Sequence, residues 1–253
     1  MLQTERLRII MDTIDRDSAV TVSGMAQVLK VSESTVRRDI EQLEEAGRLR
    51  RVFGGAVSVQ PGSKHRIIAR ESGMAEKNVL HVEEKRVIAR YAAALIKDDD
   101  FVFIDAGSST GLMVEELDNR EATYVTNGMR HALRLAERGF KVFILSGQAK
   151  ALTEAASGSL ACESMDSYAF SKAFIGANGI DDERGITTPD IEEAIVKTEA
   201  IRRAREAYIL ADHSKFGVVT SVAFTSPESV TVITDRCPHG PYLKTMHIKE
   251  VDS

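Results

Sequence analysis

Only two cysteines occur in the 253 residues, Cys162 and Cys237, far apart and in no paired motif. That excludes a disulfide framework or a cysteine zinc site and suits a reducing, cytoplasmic setting. The six histidines are scattered without a His-x-x-x-His pair, so no metal site is expected. No run of 18 apolar residues is present to cross a bilayer. The opening stretch MLQTERLRII carries charges where a secretory signal needs an apolar run. A strongly basic balance is missing too: the net charge is −5, which argues against a surface that coats nucleic acid throughout. Met1–Ala56 alone holds nine Lys/Arg and nine Asp/Glu. Any nucleic-acid reading therefore rests on where the charges sit. Internal repeats and low-complexity segments are also absent.

Two textures are present. Residues 1–57 are short helical patterns dense in charge, whereas from about residue 82 short β-rich apolar runs alternate with amphipathic stretches. Val59-Gln-Pro-Gly-Ser63 has turn chemistry. The expected division is a DNA-binding domain at 1–60, a linker at 61–81 and an effector-binding domain at 82–253. In the third segment, runs at Phe101–Ile104, Tyr124–Thr126, Val142–Leu145, Ala173–Ile175, Tyr208–Leu210 and Thr231–Ile233 predict strands. Helical patterns at Lys85–Ile96, Gly111–Leu117, Met129–Glu137 and Ile191–Arg203 separate several of them. Such alternation predicts βαβ units and an α/β domain with a mostly parallel sheet, whose ligands bind beyond the carboxyl ends of the strands.

In the first segment, Leu7, Ile10, Met11 and Ile14 give one face of a helix over Thr4–Asp15. A second helix runs through Met25, Ala26, Val28 and Leu29. A third, capped by Ser32, buries Val36, Ile40 and Leu43 and ends at Gly47, a C-cap residue. Arg48–Val59 then reads as a hairpin with a Gly-Gly tip. Helix, tight turn, helix and hairpin make a winged helix–turn–helix of α+β class. The candidate DNA contacts are Ser32, Ser34, Thr35, Arg37 and Arg38 on the third helix, with Arg50 and Arg51 on the wing. Glu41, Glu44 and Glu45 are expected to face away from DNA or to pair with arginines.

Ser32–Leu43, SESTVRRDIEQL, followed by GRLRRVFGGA from Gly47, resembles the DeoR family of bacterial regulators. Four strand-end segments resemble the effector domain of that family: IDAGSSTG from Ile104, VTNG from Val125, LSGQ from Leu145 and FIGANGI from Phe174. Glycines there let a backbone approach a ligand, and a helix N-terminus adds positive dipole for an anion. The resemblance implies a domain similar to ribose-5-phosphate isomerase and related sugar-phosphate-binding folds. It also implies a phosphorylated sugar held at Asp105, Gly107, Ser108, Ser109, Thr110, Asn127, Gly147, Asn178 and Lys215. Lys197 follows Glu193 by four residues, so a helical ion pair is the plain alternative for it. Departures from the family pattern fall at Asp99, Ser109 and Ser146.

The resemblance further implies a repressor of a sugar uptake or catabolism operon, binding double-stranded operator DNA as a homodimer or homotetramer. DIEEAIVK from Asp190 resembles regulators of phosphotransferase sugars, with fructose 1-phosphate the expected effector and no cofactor. The alternative is a sugar-phosphate isomerase fused to a DNA-binding domain. Aldose–ketose isomerisation needs a carboxylate to move a proton. Where related isomerases carry two, Ile175-Gly-Ala-Asn178 offers none. Glu192 and Glu193 are the remaining candidate bases.

Overall fold

The computed structural model describes residues 2–17, 19–46, 48–52, 54–58, 66–67, 73–238, 242 and 246–252. The chain divides into two compact units, Met1–Arg66 and Ile67–Ser253.

The first unit runs α1 (Gln3–Asp17), β1 (Ala19–Thr21), α2 (Val22–Leu29), α3 (Glu33–Glu45), β2 (Leu49–Val52) and β3 (Gly55–Ser58). Ile10 and Ile14 of α1, Met25 and Leu29 of α2, and Val36, Ile40 and Leu43 of α3 are buried together. The apolar triplet of α3 thus drives the docking of the third helix. Of the apolar residues of α2, Met25 and Leu29 are buried, whereas Val28 is 62% exposed. Thr21 Oγ1 caps α2 by accepting the Gly24 N–H at 3.1 Å. Lys30 closes α2 in the left-handed region, φ 53°, and its N–H bonds to the carbonyls of the last turn. Ser32 caps α3: its Oγ accepts the Thr35 N–H at 3.2 Å. Ser32→Ala is expected to cost the first unit about 1 kcal/mol, read as a lower thermal transition.

The wing is a three-stranded antiparallel sheet, order β1-β3-β2. Its first strand precedes α2 and has no sequence signal of its own. Gly55 sits where β3 crosses β1; a Cβ there would lie 2.0 Å from the Val20 carbonyl oxygen. Gly47, expected as the C-cap of α3, lies outside the described residues. A part-buried ion pair ties α1 to α3. Arg6 donates from Nε and Nη2 to the two carboxylate oxygens of Asp39, at 2.7 and 2.9 Å.

A short strand β4 (Arg66–Ile67) follows in the chain, then α4 (Met74–Lys77) and α5 (Val82–Ala93). Residues 73–81, expected as linker, are therefore folded, with Met74 buried and its N–H bonded to the Leu152 carbonyl at 3.1 Å. Then come β5 (Phe101–Ile104), α6 (Ser108–Glu116), β6 (Thr123–Thr126), α7 (Met129–Glu137), β7 (Lys141–Ile144), β8 (Gln148–Lys150), β9 (Ala155–Ser157) and α8 (Ser159–Glu163). The remainder is β10 (Phe170–Gly176), β11 (Gly179–Asp181), β12 (Gly185–Thr188), α9 (Ile191–Arg202), β13 (Ala204–Leu210), β14 (Val218–Val219), β15 (Val222–Thr225), β16 (Thr231–Thr234) and β17 (His247–Glu250). A 3-10 turn, His213–Lys215, follows β13.

Seven strands form one sheet, order β17-β16-β13-β10-β5-β6-β7, every neighbouring pair parallel. All six predicted strands lie in it; β17 was not foreseen. Successive residues alternate between two cores. Phe103, Ala173, Ile175 and Ile209 face α8 and α9, whereas Val102, Ile104, Phe174 and Leu210 face α5, α6 and α7. Burial on both faces is what a parallel sheet requires. The chain builds outward from β5 through β6 to β7, then returns to β10 and builds the other way. The strand order therefore reverses between β5 and β10, the place where such sheets open a crevice. Among the described residues, no helix is long and apolar enough to cross a membrane.

Candidate functional site

At the reversal, Asp105 follows the last residue of β5 and Gly176 ends β10. Asp105 is 2% exposed, and its Oδ2 is paired with Lys197 Nζ of α9 and accepts the Gly176 N–H at 3.0 Å. Lys197 also donates to the Gly176 carbonyl at 3.1 Å. The expected helical pair of Lys197 with Glu193 is replaced by this longer-range clasp, which helical spacing could not reveal. Asp190 caps α9 by accepting the Glu193 N–H at 3.0 Å, and Lys150 grips Asp190 at 2.6 Å and Glu192 at 2.8 Å.

The loop after β5 leads into α6, whose N-cap, Gly107, supplies no side-chain cap. The first N–H groups of α6 thus lack intrahelical partners and favour an anion. Beside them lies a cleft of about 420 Å³ lined by Lys85, Ser108, His131, Arg130 and Arg134, and also by Glu137, Glu154 and Glu115, the last two paired with Arg130 and Arg134. Ser108 and Gly107 are half-buried and face it. Ser109 and Thr110 are buried, and Thr110 Oγ1 donates to the Asp105 and Gly107 carbonyls at 2.6 and 3.1 Å. Asn127, 2% exposed, accepts the Ala106 N–H at 2.8 Å and donates to the Ala156 carbonyl at 3.4 Å. Thr110 and Asn127, named as effector contacts from sequence, hold the loop in shape from below.

Gly147 has φ +128°, and a Cβ there would stand 2.6 Å from the Ser157 carbonyl oxygen, so close packing with β9 accounts for it. Asn178 accepts a hydrogen bond from Thr188 Oγ1 at 3.3 Å. Lys215 is half-buried on the turn after β13 and makes no ion pair among the described residues. Its charge nevertheless reaches Lys85, a buried residue that the sequence reading passed over. Burial pulls the Lys85 ammonium down to about 8; Asp212 opposes this, and Lys215 and Lys77 add to it. Lys85 Nζ donates to the Lys77 carbonyl at 2.6 Å.

His131 was missed as well. It is buried under the α6 loop against Gly111 and Gly128; a Cβ on Gly128 would stand 2.1 Å from its Nδ1. Burial lowers its pKa against the opposing pull of Asp105, and its Nε2 has no hydrogen-bond partner among the described residues.

On α3, Ser34, Arg37 and Arg38 are exposed and Thr35 is half-exposed. Ser32 Oγ lies 2.8 Å from Ser34 Oγ and 2.9 Å from Thr35 Oγ1. Arg37 pairs with Glu33 at 2.7 Å, one turn away. Arg38 has no ion pair among the described residues. Arg51 is held by Glu41 at 3.0 Å and Glu44 at 3.8 Å, as expected for the acidic half of the helix. Arg50 lies in β2, with its side chain outside the described residues.

A winged helix–turn–helix in one unit, with a cleft beside the start of α6 in the α/β second unit, defines a DNA-binding regulator with a sensor domain. Comparison with known proteins agrees. Residues 6–61 match the DeoR-like helix-turn-helix domain and residues 80–236 the DeoR C terminal sensor domain. A Bacillus subtilis relative, described as an uncharacterized HTH-type transcriptional regulator FruR, is 38% identical over 92% of this chain and 91% of its own. The HTH-type transcriptional repressor GlcR of the same organism is 34% identical over 96% and 92%. The lactose phosphotransferase system repressor of Staphylococcus aureus is 30% identical over 92% of each. Among solved structures, ribose 5-phosphate isomerase A from Methanocaldococcus jannaschii aligns with 52% of this chain and 53% of its own, at 18% identity and a TM-score of 0.40. The chain belongs to the DeoR family of transcriptional regulators.

Proposed function

We propose that this chain represses a sugar uptake or catabolism operon and that a phosphorylated sugar bound in the sensor domain sets its operator affinity. The observation that carries this is the uncapped N-terminus of α6 opening into a cleft with Lys85, with Lys215 close by. Helix dipole and ammonium groups together suit a phosphate. Ser108 and His131 Nε2, which has no partner among the described residues, are polar groups suited to sugar hydroxyls. The names of relatives that regulate phosphotransferase sugars support the class, and fructose 1-phosphate is the first ligand to try. No reaction is assigned to the crevice: the Asp105 carboxylate is committed to Lys197 and the Gly176 N–H, and residue 178 is an amide. On the DNA side, α3 enters a major groove with Ser34, Thr35, Arg37 and Arg38 leading. Two copies on a repeated operator are supported by exposed Phe143 and Ile144 on the edge strand β7.

The test is fluorescence anisotropy of a labelled fragment from upstream of the protein's own operon, at fixed salt, with a panel of sugar phosphates and their unphosphorylated forms. A shift in affinity with one phosphosugar alone supports the reading. Specific binding that ignores the whole panel overturns the effector. Because Lys85 loses its proton as pH rises through about 8, phosphosugar affinity is expected to fall across that range. A bound anion raises the Lys85 pKa and moves the loss to higher pH. Calorimetric titrations at pH 7 and 9, compared with Lys85→Met, check this: the variant is expected to bind weakly at both.

A further inference from the structure

His81, Glu84 and His213 come from opposite ends of the second unit's sequence, yet their ligand atoms all lie within 4.8 Å of one another. His81 Nδ1 stands 3.8 Å from Glu84 Oε1, and the two imidazoles meet edge to face with centroids 5.1 Å apart. A tetrahedral ion with bonds of about 2.1 Å sets its ligands roughly 3.4 Å apart. The three groups are therefore within a small side-chain adjustment of coordination. His213 is already oriented for it. Asp235 accepts the His213 backbone N–H at 2.8 Å, and its other oxygen lies 2.7 Å from the ring Nδ1. A carboxylate can only accept, so Nδ1 carries a proton; the Asp235 contact raises the His213 pKa, and in the neutral ring Nε2 presents the lone pair that a metal would take in place of the second proton. Carboxylate–histidine support of this kind is the usual outer arrangement of a metal-bound imidazole. Lys85, which follows Glu84 on α5, is engaged with the Lys77 carbonyl.

We propose that His81, Glu84 and His213 form a binding site for a borderline divalent cation of the zinc class, completed by water. Two imidazoles and one carboxylate with an open position suit zinc better than calcium or magnesium, which take oxygen ligands. The ion would join the start of α5 to the turn after β13. Those two segments carry Lys85 and Lys215, so occupancy would fix both ammonium groups relative to each other.

The test uses the full chain, stripped with a chelator and dialysed, titrated with ZnCl2 by calorimetry, with CoCl2 absorption as an optical reading of coordination. Saturable uptake of one ion per chain at micromolar zinc is expected. His213→Gln and His81→Asn should each weaken it by more than the roughly 10–100-fold that loss of an outer partner costs, and Asp235→Asn by about that amount. Asparagine is chosen at 81 because His81 sits at φ 51°, a region asparagine tolerates. Glu84→Gln, on the helix surface, gives a reading that does not depend on the two histidine variants folding. No saturable uptake, or uptake unchanged in His213→Gln and Glu84→Gln, overturns the site.

Discussion

Lys197→Met is expected to destabilise the second unit by about 3–5 kcal/mol, the usual cost of removing one partner from a buried ion pair. Asp105, 2% exposed, would keep the Gly176 N–H but lose its ammonium partner. Denaturant unfolding of the full chain reads the loss. The double variant Asp105→Leu, Lys197→Met should recover most of it, because the penalty belongs to the uncompensated charge and not to the pair's net worth. A single variant that loses less than about 1 kcal/mol would show that the clasp does not hold the crevice together. The response to phosphosugar should vanish in the single variant, since Asp105 anchors the loop that leads into α6.

Arg38→Ala is expected to weaken operator binding by roughly 1–3 kcal/mol, or about 5–150-fold, with effector binding intact. Arg38 is exposed and free of ion pairs among the described residues. Arg37 must leave Glu33, and Arg51 must leave Glu41 and Glu44, before either reaches DNA. The same change at Arg37 should therefore cost less. Anisotropy titrations at several salt concentrations separate the roles. A phosphate contact lowers the salt slope by about 1, whereas a base contact relaxes sequence preference at one position. Unchanged affinity in Arg38→Ala would remove α3 as the recognition helix.

The helix–turn–helix was legible because its signals are local. The spacing of Val36, Ile40 and Leu43 gives the buried face, Ser32 gives the cap, and the Gly-Gly pair gives the wing. The strands of the parallel sheet were legible for a similar reason, as short apolar runs buried on both faces. Helix starts were less so. His81 precedes α5 without any capping side chain and in a left-handed conformation, so the helix was placed three residues late. β1 has three residues and no alternation, and it pairs only because β3 folds back onto it. Spacing on α9 offered Glu193 to Lys197, whereas the fold brings Asp105. His131 looked like one of six scattered histidines until Gly111 and Gly128 were seen to make room for it. His81 and His213 had no sequence relation at all, since only the folded sheet brings α5 beside the turn after β13.

The Asp105–Lys197 clasp joins positions 92 residues apart. The entropy of closing so long a loop grows only with the logarithm of its length. Ten residues inserted at the exposed Glu183–Arg184 turn, which Asp181 Oδ1 caps at 3.0 and 2.8 Å, would raise that cost by roughly 0.1 kcal/mol. The intervening chain can therefore lengthen, shorten or acquire new recognition elements almost without penalty to the closure that shapes the crevice. Ligand preference and the integrity of the crevice are, in this architecture, nearly independent variables.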